Sequence, residues 1–78
     1  MFYVYILRCK DNSLYIGLTM DIESRLGQHR ERKVKWTMSR LPVELVYSEK
    51  FENREIARRR EKELKTGFGR KWLKRHFG

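Results

Sequence analysis

The side chains best equipped for chemistry in this chain are Tyr5 and Tyr15, Arg25 and His29, and the carboxylate Glu61. Tyr5 and Tyr15 lie in two short segments of alternating pattern, and Gly17 follows Tyr15 by two residues. When the aliphatic rows of the two segments share one face, the tyrosines share the other, with Gly17 beside them. Two phenols next to a glycine make a shallow floor that a ligand can approach closely. Arg25 and His29 are four residues apart and so are neighbours on a helix. The charge balance names the partner class: nineteen Lys and Arg against ten Asp and Glu give a formal +9. Such an excess attracts a polyanion, either nucleic acid or an anionic membrane surface. It does not name an activity, because ribosomal proteins, nucleases and repair modules share it.

The chain has 78 residues, 40% hydrophobic and 37% charged, with ten aromatics. That apolar content argues for a folded domain rather than a basic tail. The reading is one domain over residues 1–78, without repeat, low-complexity stretch or linker. The length excludes a large two-domain enzyme with its own cofactor domain. The single cysteine, Cys9, excludes an internal disulfide framework and a multi-cysteine zinc site. The longest near-apolar run, Met1 to Leu7, falls far short of the ~20 residues of a membrane span. It also lacks the flanks of a signal peptide. The expectation is a cytoplasmic protein with no membrane partner.

The elements that must position these residues follow from pattern. Residues 2 to 9 and 14 to 18 read as two strands joined by the turn-forming Lys10-Asp11-Asn12-Ser13. Phe2, Val4 and Ile6 point to one side of this hairpin and Tyr3, Tyr5 and Leu7 to the other. Thr19 or Asp21 is the expected N-cap of a helix over about 21 to 31, with Ile22, Leu26 and His29 on one stripe. Residues 30 to 41 read as irregular and basic. Pro42 suits a strand start, and Val43, Leu45 and Tyr47 alternate as a third strand to about Glu49. Asn53 caps a second helix that runs to Thr66 and stops at Gly67, and residues 70 to 76 form a short last helix. At ~100° per residue, Ala57, Leu64 and Phe68 share an inward stripe with Glu61 at its edge. Glu61 is therefore the carboxylate of that helix expected to face the body of the protein.

Each of these residues also has a structural reading. The tyrosines can be strand aromatics of a small core, and Gly17 a bulge. Arg25 can pair with Asp21, and Glu61 with Lys65 or Arg58. His29 can be structural, Trp36 and Trp72 packing residues, and Cys9 a buried small hydrophobe.

The order of the motifs decides between these readings. Tyr3-Val4-Tyr5, Tyr15-Ile16-Gly17, Arg25 with His29, and a later helix with Glu61 resemble the GIY-YIG nuclease family. Leu18-Thr19, Trp36-Thr37, Pro42-Val43-Glu44-Leu45-Val46-Tyr47, Glu55-Ile56-Ala57 and Lys65-Thr66-Gly67-Phe68-Gly69 are similar to its small single-domain members. Tyr3 and Val4 stand where the family name has Gly and Ile, and no asparagine follows Glu61. The resemblance implies an α+β fold, a three-stranded antiparallel sheet flanked by helices. It implies hydrolysis of DNA phosphodiester bonds with one Mg²⁺ or Mn²⁺. Carried over by position, Tyr5 is the general base and Tyr15 assists it or meets the phosphate. Arg25 stabilises charge on phosphoryl oxygens, His29 supports the tyrosines or a phosphate oxygen, and Glu61 holds the metal. Lys33, Lys35, Arg40 and Arg70 are expected to flank one concave surface lined by those five residues. An endonuclease of low sequence specificity, in repair or recombination, is the first reading. A non-catalytic nucleic-acid-binding module of the same fold is the alternative, and a docking protein of a larger assembly is a weaker third.

Overall fold

In the computed structural model, which describes residues 1–77, the central strand is β1, Phe2–Arg8. It is flanked by β2, Leu14–Thr19, and β3, Glu44–Phe51, in the antiparallel order β2-β1-β3. The hairpin register pairs Val4 with Leu18, Tyr5 with Gly17 and Ile6 with Ile16, so the aliphatic rows share a face as their alternation requires. Its turn is held by Asp11, whose Oδ1 accepts the Ser13 amide at 3.0 Å, and by Asn12 at φ 66°, a conformation that Asn tolerates.

Helices cover both faces of the sheet. Helix α1, Ile22–Arg30, starts at Asp21, whose carboxylate accepts the Ser24 amide at 3.1 Å. It lies over the Tyr5 face, where Tyr5, Leu7, Cys9, Leu26 and Val43 form one core cluster. Helices α2, Arg54–Leu64, and α3, Gly67–Phe77, cover the other face. There Val4, Ile6 and Ile16 pack against Ala57, Leu64 and Leu73. No described helix is long and apolar enough to cross a membrane.

Three expectations about the C-terminal half change. Helix α2 ends at Leu64, and Gly67 opens α3 instead of closing α2. The stripe counted through one continuous helix is therefore broken, and Phe68 is 82% exposed rather than inward. The buried residue is Gly69: a Cβ there would fall 2.5 Å from Leu64 Cα and closer still to the Glu63 carbonyl. The missing side chain lets α3 turn tightly against the end of α2. In β3, Ile6 pairs with Tyr47 but Leu7 pairs with Leu45, so the register skips Val46. This irregularity breaks the Val43, Leu45, Tyr47 alternation. Val43 joins the Tyr5 cluster, Tyr47 packs on the opposite one, and Leu45 is left exposed.

Candidate active site and nucleic-acid groove

The Tyr5 hydroxyl is the centre of the site. Tyr5 faces Gly17 across the β1–β2 pair, and its ring lies over that glycine. A Cβ on Gly17 would come 2.6 Å from Tyr5 Cε1 and closer still to Cζ and Oη, so only glycine leaves room for the ring. Helix α1 brings two side chains to the phenol. Arg25 Nε donates to Tyr5 Oη at 3.3 Å, and His29 Nε2 lies 2.9 Å from the same oxygen. On the far side of the imidazole, Nδ1 is 2.7 Å from Thr37 Oγ1, and that hydroxyl donates to the Val34 carbonyl. In the tautomer that carries the proton on Nδ1, Thr37 Oγ1 accepts from Nδ1–H. The free lone pair on Nε2 then accepts the Tyr5 proton. A directed chain runs from Arg25 through Tyr5 and His29 to Thr37.

Burial sets the protonation states along this chain. Tyr5 is 1% exposed, and His29 and Thr37 are fully buried. Desolvation pushes the Tyr5 pKa up to about 12, although the Arg25 hydrogen bond pulls the other way. Desolvation, then the nearby Arg25 charge, lowers that of His29. At neutral pH the resting pair is a phenol hydrogen-bonded to a neutral imidazole. Proton transfer to His29 Nε2 would leave a phenolate whose charge Arg25 already faces.

Tyr15 connects this buried pair to the surface. Its ring centroid is 4.9 Å from that of His29 and 6.1 Å from that of Tyr5. It also lines a groove of about 970 Å³ that passes the β1–β2 turn and edge strand β2. Trp36 stands beside Tyr15 in the same groove, stacked at 5.6 Å with 24° between the planes. The Arg40 guanidinium covers the Trp36 ring at 4.1 Å. The cationic lining comes from Arg8, Lys65, Arg70 and Lys74, and among the described residues no Asp or Glu lines the groove.

The other expected residues are distributed differently from a single concave surface. Tyr5 and His29 lie beneath the groove and do not line it. Glu61 is on α2, on the sheet face opposite α1, with its side chain 18% exposed and paired to Lys65 at 3.2 Å. Through Lys65 it reaches the groove that Tyr15 lines. Arg70 lines the groove. Lys33 pairs with Glu31, and Arg40 with Asp11, each at 3.4 Å, while Lys35 is exposed. The sequence reading missed Thr37 as a partner of His29, because its loop has no periodicity to follow. It also treated Trp36 as packing, although an aromatic set in a basic run is a recognisable mark of a nucleic-acid surface.

This arrangement of tyrosines, arginine and histidine on a β2-β1-β3 sheet is that of a nuclease-type domain. The profile of the GIY-YIG catalytic domain matches residues 1–75, and the chain belongs to the GIY-YIG family, whose domain is typical of endonucleases. Several relatives carry the name UPF0213 protein. One, from Staphylococcus haemolyticus, is 52% identical over 65 residues, covering 82% of this chain and 79% of the relative. Another, from the archaeon Natronomonas pharaonis, is 43% identical over 65 residues, covering 82% and 76%. The solution NMR structure of a UPF0213 protein from Bacillus halodurans is similar over 100% of this chain and 88% of that one, with TM-score 0.60 and 38% identity.

GIY-YIG nucleases generally use a divalent metal. Among the described residues no three His, Cys, Asp or Glu side chains gather into a metal-binding group. Glu61 offers one carboxylate, shared with Lys65. That donor set fits a hard ion such as Mg²⁺ that takes the rest of its shell from water and a substrate phosphate.

Proposed function

We propose that residues 1–78 act as one GIY-YIG domain, a metal-dependent endonuclease that hydrolyses DNA phosphodiester bonds with low sequence specificity. We place it in cytoplasmic DNA repair or recombination. The observation that carries the chemistry is the Tyr5 hydroxyl held between Arg25 Nε and His29 Nε2. In this reading His29 takes the Tyr5 proton, and Arg25 steadies the phenolate. The phenolate then acts as base toward the attacking water, and Tyr15 aligns water or phosphate at the groove. Glu61 would hold Mg²⁺ or Mn²⁺, which supplies Lewis-acid polarisation of the phosphate. Lys33, Lys35, Arg40 and Arg70 would meet the flanking backbone as sequence-independent phosphate contacts.

The test is nicking of duplex, single-stranded and branched DNA with Mg²⁺ or Mn²⁺. Tyr5→Phe should slow cleavage by at least ~100-fold, the lower range for losing a general base. Glu61→Gln should remove metal-dependent cleavage while leaving the unfolding midpoint nearly unchanged, since a surface ion pair contributes ~0–1 kcal/mol. Wild-type rates in both variants would end the assignment of roles. The burial of Tyr5, with its pKa pushed up to about 12, favours the non-catalytic module instead. Salt-dependent DNA binding with no cleavage of any substrate would establish that reading.

A further inference from the structure

Thr37 is the one buried residue of the loop 31–40, and its neighbours Trp36 and Met38 are exposed. An apolar side chain would fill that space equally well. Thr37 instead brings a hydroxyl to 2.7 Å from His29 Nδ1. Counting donors shows what this hydroxyl meets. Arg25 can only donate, and its Nε points at Tyr5 Oη. The Tyr5 proton therefore needs another acceptor, and among the described residues the atom in reach is His29 Nε2. A neutral imidazole has one N–H and one lone pair, so a lone pair on Nε2 leaves the proton on Nδ1, facing Thr37. The reverse tautomer would aim Nε2–H at Tyr5 Oη and strand the buried Tyr5 proton without a partner.

The loop is fastened so that Thr37 stays in place. The Arg40 amide donates to the Thr37 carbonyl at 2.9 Å, and the Lys10 amide to the Arg40 carbonyl at 3.0 Å. The Trp36 ring is clamped between Tyr15 and the Arg40 guanidinium, and Arg40 pairs with Asp11. Residues on both sides of Thr37 are thus tied to the β1–β2 hairpin that carries Tyr5 and Tyr15.

We propose that Thr37 is a positioning residue: by accepting from His29 Nδ1–H it keeps the Nε2 lone pair turned to the Tyr5 hydroxyl. The inference rests on the reading in which His29 takes the Tyr5 proton. In that step the Tyr5 O–H bond breaks, the Nε2–H bond forms, and the electron pair stays on Oη, facing Arg25. Thr37 carries no charge, so it orients the ring without holding it protonated at rest. The titratable groups that face the imidazole are Arg25 from the same helix, Tyr5 from β1 and Tyr15 from β2.

Nitrogen-15 NMR of the imidazole, without DNA or metal at about pH 8, above the usual histidine pKa, reads which nitrogen carries the proton. The wild type should show Nδ1 protonated and Nε2 bare. Thr37→Val keeps the shape and removes the acceptor, and should move the proton toward Nε2. Thr37→Ser should restore the native spectrum. In DNA nicking, Thr37→Val should lower kcat by at least about tenfold with KM little changed, as when a histidine loses the group that orients it, and Thr37→Ser should recover the rate. A wild-type ring protonated on Nε2 would overturn the proposal, and this result needs no variant to fold. So would an unmoved Nδ1 proton in folded Thr37→Val, or a moved proton with an unchanged rate. If the wild type cleaves no DNA, the nuclease reading falls, while a proton that follows the Thr37 hydroxyl still supports its hold on His29.

Discussion

Gly17→Ala is the smallest change that should dismantle the site. In an ordinary strand the substitution would stabilise the protein by about 0.4–1 kcal/mol, because alanine has less unfolded-state freedom to lose. Here the added methyl would come 2.6 Å from Tyr5 Cε1 and closer still to the phenol end of the ring. Tyr5 is 1% exposed, in the central strand, with α1 above it, so the ring has no open space to enter. Forcing a methyl into such a site costs about 1–3 kcal/mol. Moving the hydroxyl also takes the hydrogen bond from His29 Nε2, a buried acceptor whose loss of partner costs about 1–3 kcal/mol. Because the two effects share one displacement they do not add fully, and we expect a net loss of about 2–4 kcal/mol. A domain of this size holds roughly 4–12 kcal/mol in total. The thermal midpoint should then fall by roughly 10–30 °C. Urea unfolding gives the free energy, and the His29 ring resonances report whether its partner has moved. The same substitution in a Tyr5→Leu background, where the ring end is gone, should cost at least about 1 kcal/mol less. A loss below about 0.5 kcal/mol with His29 resonances unmoved would refute the claim that Tyr5 needs Gly17.

Two further outcomes follow from the same packing. Gly69→Ala should cost about 2–4 kcal/mol in urea unfolding, because its methyl would meet the backbone of Glu63 and Leu64, which cannot swing aside. Gly67→Ala, with nothing within 4 Å of its Cβ, should instead stabilise by up to about 1 kcal/mol as a better helix former. The lowered pKa of His29 fixes the sign of one pH effect. The unfolded chain binds the proton first, so stability is fully present above the unfolded value near ~6.5 and is lost as the pH falls through the folded pKa. Urea midpoints measured from about pH 8 to pH 5 should decline, and a His29→Gln variant should be flatter over that window. A midpoint that rises on acidification would contradict the buried neutral imidazole.

What the sequence made legible is what local pattern dictates. The hairpin register follows from Val4, Ile6, Ile16 and Leu18, since a slip of one residue would turn every one of them outward. The caps Asp21 and Asn53 are equally local, each a short polar side chain accepting backbone amides just inside its helix. Phe68 was misplaced because an angular count assumes one unbroken helix, and the break before Gly67 depends on how closely Gly69 packs on Leu64. The depth of Tyr5 and His29 was hidden for a related reason. Alternation assigns Tyr5 to a face, but only the docking of Leu26 and Val43 onto that face decides whether it meets water. Thr37 lies in a segment without period, so no spacing points from it to an imidazole eight residues earlier.

The strand order carries a consequence for biosynthesis. The central strand β1 precedes both of its neighbours in the chain, and its β3 partner ends only at Phe51. At the usual ~5–20 residues per second, the ribosome needs roughly 2–9 s to go from Arg8 to Phe51. For that interval the most apolar segment of the chain has one or neither of its partners. Such a run, rich in β-branched and aromatic residues, is a template for pairing with a foreign strand. Arg8 and Lys10 sit at its C-terminal end, where charged residues oppose that pairing. In the folded protein Arg8 is tied to Glu44 and to the carbonyl of Phe77, so a side chain that guards the nascent strand later fastens it to the last helix.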